Sequence, residues 1–281
     1  MTISRLLFAG LAFTMAGAAP SAFGQVEDHN SLTIGIGVAA IPSYEGSDEH
    51  RIVPVPQLRG KVENVAFWTR GSSLYVDVLP NIDPDGLDVQ LGPVASLRFD
   101  RSSRKNIKDA AVQALGKRDI AVELGGFVGI GKRGVLTSDY DNLSARVAVT
   151  KDVAGAHGSY VITPAVEYMT PLSPRSFVGL GVSADYVGKK YGRYYFDIDP
   201  AGAAASGLPA YMGAGDGSGF KRISANLTGG LSLSSDLRKG WALFALAGYA
   251  RMLGDYAASP IVSIAGSKNQ WVGAVGVGYS F

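Results

Sequence analysis

Gln270-Trp271-Val272-Gly273-Ala274-Val275-Gly276-Val277-Gly278-Tyr279-Ser280-Phe281 closes the chain, and its alternation decides the fold. Trp271, Gly273, Val275, Val277, Tyr279 and Phe281 share one face, and Val272, Ala274, Gly276, Gly278 and Ser280 share the other. A period of two marks an extended strand, whose successive side chains point to opposite sides. Aromatic rings at the end of an apolar face suit the headgroup layer of a membrane. A last strand that pairs with the first would remove both open edges of a sheet. The stretch therefore points to an all-β protein, a transmembrane antiparallel β-barrel.

The same period runs back through the chain. In 32–40 Leu32, Ile34, Ile36, Val38 and Ala40 alternate with Thr33, Gly35 and Gly37. In 222–234 Ile223, Ala225, Leu227, Gly229, Leu231 and Leu233 oppose Ser224, Asn226, Thr228, Gly230, Ser232 and Ser234. Strands are expected at 32–41, 52–60, 64–70, 74–80, 87–99, 119–131, 142–151, 159–170, 175–187, 220–234, 241–253 and 268–281. Twelve is even, as in single-chain bacterial barrels, and an even count puts both termini on one side, expected to be periplasmic. The longest connections, 100–118, 188–219 and 254–267, then all fall outside. Aromatic residues near strand ends (Phe67, Trp68, Tyr75, Phe99, Tyr168, Phe177, Tyr186, Trp241, Tyr256, Trp271, Tyr279 and Phe281) are expected in interfacial girdles.

Composition agrees. Hydrophobic residues make up 47%, charged residues 18%, and there are 37 glycines, yet past the N-terminus no apolar run is long enough for a membrane helix. A net charge of +2 gives no argument for nucleic acid. The absence of cysteine excludes disulfides, thiolate metal sites and a lipoprotein anchor. Arg5, the apolar run 6–18 and Ala22-Phe23-Gly24 read as a signal peptide over 1–24, which leaves 25–281 as the exported barrel of a Gram-negative cell envelope.

With a barrel in view, several strings carry a resemblance: Pro42-Ser43-Tyr44-Glu45-Gly46-Ser47, Leu91-Gly92-Pro93, Glu123-Leu124-Gly125, and Tyr249-Ala250-Arg251-Met252-Leu253-Gly254-Asp255 running on to Ser259-Pro260-Ile261-Val262 and the terminal Gly-Tyr-Ser-Phe. Together they resemble the MipA/OmpV family, named for an MltA-interacting protein. The resemblance implies an outer-membrane scaffold linking a murein lytic transglycosylase to a murein synthase, with a porin-like channel as the alternative. It implies no catalytic residue. The last strand, through Tyr279 and Phe281, resembles the signal read by the barrel assembly machinery.

Lumen-facing polar residues are the site candidates: Asp77, Asp88, Arg98, Glu123, Arg146, Glu167, Asp185, Tyr249 and Arg251. Mixed signs fit either a selectivity constriction or a salt-bridged filling of a modest barrel. No catalytic, cofactor or metal site is expected. The three histidines, His29, His50 and His157, sit outside strands, and His157 between Gly155 and Gly158 reads as turn filler. Gly126–Lys132 imitates a phosphate loop, but Arg133 stands where Ser or Thr is needed and no helix follows. Asp197 and Asp199 read as solvated loop charge, without the spacing of a calcium loop. Segment 188–219, with Lys189, Lys190, Tyr191, Arg193, Tyr194, Tyr195 and Phe196, reads as a binding loop, an inward-folded plug or an extended hairpin above the membrane. Its cations, and the string Arg101-Ser102-Ser103-Arg104-Lys105, suit lipopolysaccharide phosphates.

Overall fold

A computed structural model describes residues 30–81, 86–235 and 237–281. The expected leader 1–24, His29 and the turn residues Asp83, Pro84 and Asp85 lie outside them. The strands are β1 (Ser31–Pro42), β2 (His50–Val62), β3 (Val65–Arg70), β4 (Ser73–Asp77), β5 (Leu87–Arg98), β6 (Ala121–Arg133), β7 (Asn142–Asp152), β8 (Tyr160–Ser173), β9 (Ser176–Val187), β10 (Gly219–Ser232), β11 (Gly240–Met252) and β12 (Asn269–Ser280). Each pairs antiparallel with its neighbour, and β12 pairs with β1 to close the barrel. All twelve expected strands are present. Strand ends shift by up to three residues: β8 runs on to Ser173, and β4 stops at Asp77, whose carboxylate accepts the N–H of Leu79 at 3.2 Å and of Leu91 at 3.1 Å.

The seam runs from Thr33↔Ser280 to Ala40↔Gly273. It is locked at its end by Thr33 Oγ1 and Ser280 Oγ at 2.8 Å and by the Phe281 N–H donating to the Leu32 carbonyl at 2.9 Å. Both described ends of the chain therefore meet at one rim, here the terminal end; the other rim is the loop end. Ile34, Ile36 and Val38 of β1, Leu124, Val128 and Ile130 of β6, and Leu227 and Leu231 of β10 all point outward and are exposed. In lipid this is the stable arrangement, since a closed ladder satisfies backbone groups internally while the apolar face meets acyl chains. Among the described residues no helix is long and apolar enough to cross a membrane.

The loop end is covered by short helices: α1 (Ala110–Ala114), α2 (Lys189–Tyr195), α3 (Pro200–Ser206), α4 (Gly254–Ala258) and α5 (Pro260–Ser263). Segment 188–218 is thus a plug, not a hairpin. Tyr191 and Tyr195 stand four apart on one face of α2, with Phe196 next, and all three are buried against inward Val161, Val187 and Met252. Gly192 permits this fit, since a Cβ there would lie 1.8 Å from the Ala214 carbonyl oxygen. Asp199 caps α3 by accepting the Gly202 N–H at 2.6 Å, with Pro200 in the first turn and Gly207 left-handed at φ 74° after it. A second apolar cluster, Tyr44, Ile107, Val112, Ile198, Leu208 and Ile261, ties the plug to three other loops.

The girdle expectation needs correction at four residues. Tyr75 and Phe177 are buried inside the barrel, Trp68 packs on Tyr75 and Phe127, and Tyr256 is buried in the cap. Alternation alone could not separate an aromatic core from an aromatic girdle. Trp241, Trp271 and Phe281 do lie exposed on the outer face.

At the terminal end the turn 134–141 is built around Asp141. Its carboxylate accepts the N–H groups of Val135 at 2.7 Å, Leu136 at 2.9 Å and Ser138 at 3.2 Å, and the Tyr168 hydroxyl at 2.9 Å. Burial works against ionisation, but these donors and the Thr137 N–H hold the carboxyl well below the usual carboxylate range. Asp141→Ala is expected to lower unfolding stability by roughly 1.5–3 kcal/mol near neutral pH. A depressed carboxyl stabilises above its unfolded pKa of about 3.9, so the deficit should shrink as pH falls below it, measured by urea unfolding from vesicles at each pH.

Candidate functional site

The loop-end half of the lumen holds a layer of buried charge, and an irregularity in β10 builds it. The β9–β10 register slips between Phe220 and Arg222, so consecutive Lys221 and Arg222 both turn inward and are buried. A bulge re-aims side chains in this way. Lys221 Nζ donates to Glu45 Oε1 at 2.5 Å and to the Tyr191 hydroxyl at 3.1 Å, and lies 3.5 Å from Asp185 Oδ2. Arg222 pairs with Asp185 at 2.8 Å and Glu45 at 3.3 Å. The Tyr191 hydroxyl donates to Glu45 Oε2 at 2.8 Å, and Thr163 donates to Asp185 Oδ1 at 3.0 Å. Alongside, Arg98 forks onto Glu123 at 2.8 and 3.3 Å and stacks its guanidinium 5.0 Å over the Tyr191 ring.

Glu45, Glu123 and Asp185 therefore face Arg98, Lys221 and Arg222, three charges against three. Burial raises the cost of ionising Glu45, yet Lys221, Arg222 and Arg98 outweigh it and hold its carboxyl below the usual range. Burial pushes the Tyr191 and Tyr195 hydroxyls well up, and Tyr256 to about 12. A cavity of about 20 Å³ beside Arg98 and Glu123 has room for about one water.

His157 is not turn filler. Its side chain is buried, Nδ1 accepts the Ser159 N–H at 3.1 Å, and Nε2 donates to Glu123 Oε1 at 3.1 Å. Both nitrogens are engaged, so neither is free to take a proton from a substrate. Asp152 folds the loop beneath it, accepting the N–H groups of Ala154, His157 and Gly158. Asp197 is likewise buried and accepts the Gly215 N–H at 3.1 Å. Arg101, read as a lipopolysaccharide contact, turns inward and donates to the Tyr195 carbonyl.

Of the residues expected in the lumen, Arg98, Glu123 and Asp185 meet in this layer. Glu167 lies nearer the terminal end, accepting two bonds from Arg146 at 2.8 and 2.9 Å and two from Arg70. Asp77 completes the β4–β5 ladder, and Asp88 accepts from Gln90 at 2.7 Å. Tyr249 and Arg251 are placed on the outer face instead. Ala250 and Met252 are the buried partners in that alternation, while Tyr249 bonds Asn269 at 2.8 Å and packs on Trp271. Both faces of β11 are largely apolar, with Ala242, Phe244, Leu246 and Met252 turned inward, so polarity does not mark the lumen there. Tyr279 and Phe281 pack ring to ring on the outer face at the terminal end. Sequence reading missed Glu45, Lys221, Arg222 and Arg70; the adjacent Lys-Arg in an otherwise alternating strand was the available signal. Among the described residues no group of three or more His, Asp or Glu could hold a metal ion.

The chain is similar to several solved structures. An outer membrane channel from Pseudomonas putida F1 is 14% identical, with 94% of this chain and 100% of that chain covered and a TM-score of 0.47. The NanC porin is 9% identical, with 88% and 98% covered and a TM-score of 0.44. The CymD monoaromatic hydrocarbon channel is 11% identical, with 92% and 90% covered and a TM-score of 0.37. A search of curated proteins returned no match. A family model described as "MltA-interacting protein MipA" matches residues 34–281, which is nearly every residue of the barrel, and this outer-membrane barrel belongs to the MipA family.

Proposed function

We propose that this chain is a non-enzymatic outer-membrane scaffold with both ends periplasmic, docking a murein lytic transglycosylase and through it a murein synthase. The observation that carries the reading is the sealed loop end: a charge-balanced layer and an aromatic plug fill the space that a solute channel would need. The family's descriptive name supplies the transglycosylase. The turn 134–141 supplies a surface for it. Asp141 fixes the backbone, and Leu136 and Tyr140 stand 67% and 57% exposed on that rigid frame. Exposed apolar side chains on a pre-organised turn lose little freedom on binding.

At the other rim Arg104, Lys105, Lys108, Lys117, Lys189 and Lys190 are exposed and suit lipopolysaccharide phosphates. Tyr279 and Phe281 serve as the assembly signal in this reading. Immobilised barrel should retain a purified lytic transglycosylase, and Leu136→Asp with Tyr140→Ser should weaken retention roughly tenfold, about 1.4 kcal/mol. Absence of retention by the unaltered barrel would overturn the scaffold reading. A porin-like channel is the second reading; the polar interior favours it, but it requires the plug to move.

A further inference from the structure

The barrel wall is incomplete beside β2. The register between β2 and β3 runs only from Arg59↔Trp68 to Val62↔Val65, while β2 continues up to His50 paired with β1 alone. The β3–β4 hairpin is short and turns after Arg70. Its last link to β2 is Thr69, whose hydroxyl accepts the Leu58 N–H at 2.9 Å and donates to the Leu58 carbonyl at 3.2 Å. The backbone of Leu58 thus faces β3, and the antiparallel period makes Pro56, Pro54 and Ile52 face the same way. Two of those three positions are proline, which has no N–H to leave unpaired. Proline in a sheet belongs on an open edge, and in lipid each missing donor is one fewer polar group to satisfy. The opening is therefore written into the sequence. It spans roughly 20 Å over 52–57 at the usual rise per residue. Pro54 and Pro56 pair with Val38 and Ile36, both exposed on the outer face, so the opening lies at the height of the apolar belt.

Behind this edge the inner face of β2 grades from charged to apolar: Arg59, Gln57, Val55, Val53. Next to it Gly35 and Gly37 of β1 pair with Gly278 and Gly276 of β12, leaving a glycine floor whose Gly278 end lies under the Phe244 ring. Phe244 and Leu246 of β11 form the far bank. A Cβ on Gly37 would lie 2.5 Å from the Val275 carbonyl oxygen, so no side chain could fill this floor unless the strands shifted. Gln57 is exposed, and Val55, Gly37, Gly276 and Leu246 are partly accessible, so the trough is open over these residues and closed at buried Gly278.

Charge is unbalanced here, unlike at the loop end. Arg70 and Arg146 share the single carboxylate of Glu167. Arg59 lies beside Arg70, and among the described residues it has no hydrogen bond or ion pair. A guanidinium keeps its proton, so the excess calls for an anion from outside the chain.

We propose that the unpaired edge of β2 is a lateral portal, and that the lumen behind it binds an amphipathic anion from the bilayer. Its acidic head sits on Arg59 and its apolar tail lies in the glycine trough between Val55 and Leu246. The site is independent of the scaffold role and of the loop-end seal.

A dansyl-labelled undecanoate titrated onto the purified barrel in neutral detergent tests the binding. The carboxylate probe should bind, and Arg59→Gln should weaken it roughly tenfold, with Arg59→Lys recovering part of the loss. Heat-modifiable migration on gels verifies that each variant is folded. Equal binding by Arg59→Gln, or equal binding of the uncharged dansyl-undecanol, would overturn the head assignment. Displacement by inorganic phosphate at the same concentration as undecanoate would show a free-anion site and overturn the amphiphile. For the portal, a benzophenone side chain at Gln57 should capture acyl chains in phosphatidylethanolamine–phosphatidylglycerol vesicles, while the same group at inward-facing Ser144, behind a paired wall, should not. Equal capture at both positions, or none at 57, would overturn it.

Discussion

Glu45→Ala is expected to cost the barrel about 3–5 kcal/mol, the usual penalty for removing one partner of a buried ion pair. Glu45 lies in the loop after β1 yet reaches both cations of the β10 bulge and the Tyr191 hydroxyl of the plug. Without it Lys221 and Arg222 face only Asp185, and both cations are buried. The loss should be complete above the unfolded glutamate pKa of about 4.3, because a carboxyl held low in the folded state stabilises above that value. It should diminish as pH falls below about 4. Urea unfolding from lipid vesicles at pH 7 and at acid pH measures both parts. Glu45→Ala combined with Lys221→Met should recover part of the stability, because it removes an uncompensated charge as well as a contact. A double variant no better than Glu45→Ala would show that charge balance is not what Glu45 supplies.

Excision of 189–216, bridged by a short Gly-Ser linker, is expected to change the barrel from closed to conducting. The ladders of β9 and β10 begin outside that segment, so the wall should survive. The buried rings of Tyr191, Tyr195 and Phe196 would go, and with them the lid over Arg98, Glu123, Lys221 and Arg222. Charged side chains released from a buried layer hydrate, and a hydrated charged lumen passes ions. Stable current steps in a planar bilayer are the expected readout, falling in size when Arg98 or Lys221 is also neutralised.

The barrel was legible in the sequence because lipid and lumen make opposite demands on neighbouring residues. That contrast is strongest in β1, β10 and β12, where Ile34, Leu227 and Val275 alternate with small or polar residues. It fails where one side ceases to be polar. In β11 the inner face carries Ala242, Phe244, Leu246 and Met252, so Tyr249 and Arg251 looked lumenal although they point outward. It also fails where the period slips: the bulge that turns both Lys221 and Arg222 inward leaves only an adjacent basic pair as its trace. The plug helices are at most seven residues long, too short for a helical pattern to stand out, and their burial depends on strands far away in sequence. Glu45 and Tyr191, 146 positions apart, meet only through the closed barrel. Pro54 and Pro56, which lie within the expected strand 52–60, mark the edge at which the wall stands open.

Single-channel recording in a planar bilayer, with the unaltered barrel and the 189–216 excision compared under the same voltage and salt, tests the sealed loop end most directly. The account predicts a flat baseline for the unaltered barrel and discrete, long-lived steps for the excised one. Steady steps from the unaltered barrel would contradict it.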